Sequence, residues 1–165
     1  MVMTDQAQLA ALAGLTPLFV YIMWSDAKNM RIPNIACLMI LVVFLATGSW
    51  GLPLETFLWR LGHTLIAFFI GWGIFTISSG KVGGGDLKMI IALVPFVPGI
   101  HVGFVLILWA IWTLVAVGLF WIARYFLREY DTGFASLGQK KYFPAGVTIA
   151  ASFLNYLLLV FFGRI

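Results

Sequence analysis

The chain has 165 residues, 62% of them hydrophobic and only 10% charged, with seven Trp, fifteen Phe and a mean hydropathy of +1.04. That leaves too little polar surface to cover a soluble globule of this size, so the composition excludes a water-soluble domain and predicts an integral membrane protein. The net charge of +4 would suggest nucleic acid in a soluble protein, but here the basic residues fall between apolar stretches and no nucleic-acid partner is expected.

In chain order, the first apolar stretch covers residues 9–24. Residues 1–8 carry no basic side chain, so this stretch is expected to remain as a helix instead of serving as a cleaved signal. A second stretch, 35–47, follows Pro33, which suits the first turn of a helix. Its Cys37 is the only cysteine; it reads as a small buried hydrophobe and leaves neither an intrachain disulfide nor a thiolate zinc cluster available. The third stretch, 54–77, contains Gly62, Gly71 and Gly73, expected to permit close helix packing, and His63, expected in a core or packing role. The fourth, 87–97, is ended or kinked by Pro95 and Pro98. The fifth covers 102–126 and the sixth 146–162, separated by a polar loop in which Glu129 and Asp131 read as solvent-facing charges. The second and fourth are short for a hydrocarbon core of about 30 Å. The expected fold is an all-α, polytopic membrane bundle of about six transmembrane helices, forming one domain over residues 1–165.

Charge by side gives an orientation. The first, third and fifth loops hold Lys28, Arg31, Lys81, Lys88, Arg124, Arg128, Lys140 and Lys141, against Arg60 and Arg164 on the other side. The positive-inside rule then places both termini outside and the first, third and fifth loops at the cytoplasmic face. Trp24, Trp50, Trp59, Tyr125 and Tyr142 lie near segment ends, as interfacial anchors should.

Two carboxylates stand out on that face. Asp26 closes the first helix, and Asp86 opens the fourth within Gly83-Gly84-Gly85-Asp86-Leu87-Lys88. The glycines read as a tight turn that brings backbone close to a substrate, with Asp86 near a helix start, where an N-capping role is the bland alternative. The missing Gly-Lys-Ser/Thr ending argues against a phosphate-binding loop. Ser78 and Ser79 lack a histidine partner, and His63 and His101 lack metal-ligand spacing, with His101 on the face opposite the acids. Two neighbouring carboxylates do not both ionise readily, so one keeps a proton while the other stays anionic. Such a pair can hydrolyse a peptide bond with no metal and no cofactor. A proton- or cation-coupled transporter and a noncatalytic assembly scaffold remain open as other uses of the same acids and fold.

These elements resemble those of the type IV prepilin peptidases, the GxGD aspartyl membrane proteases, and especially the short form associated with Flp or tight-adherence pili. The family's two catalytic aspartates match Asp26, followed by Ile32-Pro33-Asn34, and Asp86 in the glycine element with its trailing Lys88. Pro144-Ala145-Gly146 is similar to a Pro-Tyr-Gly element of the family, with Ala145 in place of the tyrosine. The resemblance implies a bacterial inner-membrane enzyme that removes short basic leaders from prepilins or pseudopilins at the cytoplasmic face. The substrate's hydrophobic helix and membrane lipid are then its partners. The chain shows neither the paired cysteines nor the N-terminal segment of bifunctional members, so cleavage without N-methylation is expected.

Overall fold

A computed structural model describes residues 3–79, 82–127, 133–138 and 143–163. They form α1 (Asp5–Asn29), α2 (Asn34–Gly51), α3 (Leu54–Ile77), α4 (Gly84–Leu93), α5 (Val102–Phe126), the one-turn α6 (Ala135–Gly138) and α7 (Ala145–Phe161). Two 3-10 turns, Val94–Phe96 and Gly99–His101, join α4 to α5, and there is no strand among the described residues. The protein is thus the all-helical bundle its composition demands.

Three- and four-residue spacing builds the core. Ala7, Ala11, Leu15, Phe19, Ile22 and then Asp26 are buried along one face of α1, which packs against α7 and α2. Gly51 at the end of α2 abuts Ala7, and the Phe19 ring meets Phe153 of α7 edge-on at 6.0 Å. Phe44 of α2 contacts both Phe57 and Phe96, with ring centroids 5.5 and 5.3 Å apart. The short α4 packs against α2, α3 and α7, while α5 packs against α7. Large apolar side chains such as Trp72, Leu114 and Trp121 point outward from α3 and α5, where lipid is the matching solvent.

α1, α2, α3 and the stretch Gly99–Phe126 are long and apolar enough to cross a membrane. The second segment is therefore longer than its apolar run, continuing through Trp50 to Gly51. The fourth is not: Pro95 confines α4 to ten residues, and the chain goes on as 3-10 turns. α7, with 17 residues, is at the lower limit of a span. Pro33 is the N-cap of α2 instead of a residue of its first turn.

Several sequence expectations are corrected by packing. Arg60, read from the sequence only as a charge on the non-cytoplasmic side, is buried. It lies inside α3, 7% exposed, and its Nη1 donates to the carbonyls of Pro95 at 3.0 Å and Phe96 at 3.4 Å. Those carbonyls belong to the 3-10 turn that ends the α4 segment, where backbone acceptors lack helical partners. Nearby, the Tyr156 hydroxyl and His101 Nδ1 lie 3.0 Å apart. Of the α3 glycines, only Gly71 is a close approach: a Cβ there would fall 2.8 Å from Ile91 Cδ1, whereas Gly62 and Gly73 face open space. His63 is exposed, not in the core, and stacks obliquely on Trp59. Lys81, Arg128, Glu129, Asp131, Lys140, Lys141, Tyr142 and Arg164 lie outside the described residues.

Candidate active site

Asp26 belongs to the last turn of α1, so it is a helical residue and not part of the following loop. It continues the buried stripe of that helix, which turns its carboxylate inward, and it is 5% exposed. Met30 ends α1 in the left-handed conformation, φ 53°, with its N–H donating to the Asp26 carbonyl at 2.9 Å. Ser25 Oγ donates to the Arg31 carbonyl at 2.9 Å and folds the next residues back over the helix end. Ile32 is thereby placed between two other elements of the chain. A Cβ on Gly85 would lie 3.2 Å from Ile32 Cβ; one on Gly146 would lie 2.7 Å from Ile32 Cδ1 and 2.9 Å from Asp26 Oδ2.

Asp86 lies in the first turn of α4, whose N-cap is Gly83, so Asp86 is not itself the cap. It is half-buried, and its carboxylate turns back over the start of its own helix: a Cβ on Gly83 would be 2.5 Å from Asp86 Oδ2. That places it at the positive end of the helix dipole. The glycine run accordingly serves close approach instead of an unusual turn. Gly83 has φ −59°, and the left-handed residues among those described are Met30, Ser79, Gly133 and Gly163. Gly84 admits the Phe75 ring, 3.2 Å from where a Cβ would be, and Gly85 admits Ile32.

The two acids are brought within electrostatic reach of one another, and Asp26 also lies near the Gly146 and Val147 backbone at the start of α7. Asp26 Oδ2 is buried with no hydrogen-bond partner among the described residues. Burial pushes the Asp86 carboxyl above the usual carboxylate range. Lys88 Nζ donates to Asn34 Oδ1 at 3.1 Å, tying α4 to the start of α2. An open cavity of about 740 Å³, lined by Ser25, Lys28, Asn29, Arg31 and Asn34 among others, lies beside this end of α1. Ser25 and Ile32 in its wall are the residues that flank Asp26. Arg124 also falls here, its Nε and Nη2 donating to the Ser136 carbonyl, and the adjacent Ala135 lines the same cavity. The described basic side chains other than Arg60 thus gather at the acid-bearing end.

The site joins three stretches distant in sequence: 25–34, 83–88 and 144–146. Spacing alone singled out the aspartates but missed Ile32 as the wedge between Gly85 and Gly146, and Gly146 as the floor under Asp26. The Pro-x-Gly pattern was a usable signal for the latter, because its glycine makes the contact.

The fold and the facing acids define a polytopic helical membrane protein with a carboxylate pair at one end of its bundle. Residues 13–163 match the type IV leader peptidase family, and the chain belongs to that family. It is therefore a membrane-embedded protease of a family whose members are of the aspartic type, and membership implies a prepilin-type substrate. Comparison with curated proteins and with solved structures finds no match.

Proposed function

We propose that Asp26 and Asp86 are the catalytic pair, and that this chain, as one peptidase domain over residues 1–165, removes the basic leader of a prepilin or pseudopilin. The observation that carries this reading is the convergence of Asp86, Ile32 and Gly146 on the Asp26 carboxylate. One carboxylate, ionised, takes a proton from water as the water oxygen attacks the scissile carbonyl carbon; the other, protonated, donates to the carbonyl oxygen. Collapse of the tetrahedral species breaks the C–N bond, and a proton passes to the departing amine. The pair titrates as a unit, so neither role is assigned to one residue.

The acids' end of the bundle, rich in Lys28, Arg31, Lys88 and Arg124, is assigned to the cytoplasmic face of a bacterial inner membrane. Flp-type pilins are the substrates favoured by the sequence resemblance. Cleavage alone is assigned to these residues, since the single cysteine, Cys37, is buried within α2. A coupled transporter is less well supported, because both acids sit at helix ends and not at mid-depth.

The test is the purified protein in lipid vesicles with a synthetic precursor: a short basic leader, Gly before the cleaved bond, and an apolar helix of about 20 residues. The expected product is the precursor cut after Gly, formed equally well in EDTA and after treatment with serine-directed reagents. No cut, or activity lost in EDTA and restored only by zinc, would overturn the proposal.

A further inference from the structure

Between α3 and α5 lies an apolar cavity of about 430 Å³. Its walls come from helices held by different neighbours. α3 is packed on α4, with Gly71 against Ile91, and α5 is fixed to α7, with Trp109 Nε1 donating to Thr148 Oγ1 at 3.2 Å. Ile66 of α3 and Leu106 of α5 both line it and are more than half exposed. The floor comes from α4 and α7, through Ile90 and Ile149.

We propose that this groove receives the substrate's apolar helix as it continues beyond the cleaved bond. The proposal rests on the reading of the chain as a leader peptidase. Its first support is continuity with the candidate site, since both floor helices begin there. Ile90 is one helical turn beyond Asp86 on the same face of α4, and Ile149 is one turn beyond Gly146 on α7. A chain held at the acids and continuing as a helix along α4 and α7 would run toward the groove.

The second support is His63. It lines the groove roughly 20 Å along the bundle from Asp86, at 1.5 Å per residue counted through the Gly71–Ile91 contact. Among the described residues it makes a ring contact with Trp59 and no hydrogen bond. An ionisable side chain at membrane depth finds no partner in an acyl tail, and such residues face functional cavities by default. A helix in the groove can present a hydrogen-bonding side chain to it.

The test uses disulfide cross-linking in vesicles. The full-length enzyme carries Cys37→Ser and a single new cysteine, by Ile66→Cys or Leu106→Cys in the groove, or by Phe68→Cys or Leu114→Cys on exposed faces that do not line it. The probe is the synthetic precursor above with one cysteine midway along its helix. Cross-links at the two groove positions, absent from the two controls and suppressed by excess cysteine-free precursor, are expected. Equal cross-linking at all four positions, or none in the groove, overturns the proposal. A companion Ala67→Trp enzyme, which fills the groove, is expected to raise KM for the precursor at least tenfold with kcat per folded molecule little changed; an unchanged KM overturns the proposal. If wild-type enzyme cuts the precursor while the groove tests fail, only the groove assignment falls. If wild-type enzyme leaves the precursor intact, the peptidase reading falls and takes the groove with it.

Discussion

At Gly146 a single added methyl group would meet two occupied positions at once, the Ile32 side chain and the Asp26 carboxylate. Gly146→Ala is therefore expected to move Asp26 from its place and lower cleavage per folded molecule at least tenfold, because misplacement by about 1 Å can cost about a hundredfold. Gly85→Val should act from the other side of Ile32, with membrane insertion retained. Product mass per folded enzyme is the measurement for both, and full activity in either variant would remove the wedge from the account. Asp86 carries a further prediction. Because burial raises its carboxyl, ionising Asp86 costs more in the folded protein than in the unfolded chain. The stability contributed by its protonated form is complete below the ordinary carboxylate pKa and is lost as pH rises through the raised folded value. Asp86→Asn should thus melt higher than wild type at neutral pH and lose that advantage in acid, while being inactive. A lower melting point for the variant across the whole range would contradict this. The acids were legible in the sequence because carboxylates are rare in so apolar a chain. Ile32 was not, since an isoleucine beside a proline has no chemical signal until its two glycine neighbours, from distant segments, are seen around it.

Among the elements, α4 shows best how much periodicity and prolines determine. Pro95 ends it as expected, but the carbonyls left at that ending are met elsewhere, by Arg60 reaching from α3 to Pro95 and Phe96. No sequence rule pairs an arginine with acceptors 35 and 36 residues away, so the sequence counted this charge only by its side of the membrane. Arg60→Leu should leave those acceptors unpartnered at about 1–3 kcal/mol each and lower the detergent melting temperature by several degrees, with Arg60→Lys recovering part of the loss. An unchanged melt for Arg60→Leu would remove its structural role. The glycines teach a related lesson. Composition marked Gly62, Gly71 and Gly73 alike, but only one faces a neighbouring helix. Which face of α3 turns inward depends on a partner that the local sequence does not specify, and the same holds for His63.

For the molecule as a whole, hydropathy and charge were enough to place six apolar helices, because lipid admits few other solutions for the backbone. Their ends shifted where capping, not hydropathy, decides: α1 runs on to Asn29, capped by Met30, and carries Asp26 inside the helix. The assigned orientation puts Lys28 inside the cell and Ile100, exposed beyond the far end of α4, outside. In a Cys37→Ser background, an impermeant thiol reagent applied to intact cells should label Ile100→Cys readily and Lys28→Cys only after permeabilisation. The reverse pattern would invert the topology.

The pair of aspartates is tested most directly by turnover of the synthetic precursor, followed by N-terminal mass measurement, for wild type, Asp26→Asn and Asp86→Asn at equal amounts of folded, vesicle-inserted protein. The predicted result is leader removal by wild type alone, with each variant slower by roughly a hundredfold to ten-thousandfold. Near-wild-type turnover by either variant would contradict a catalytic pair.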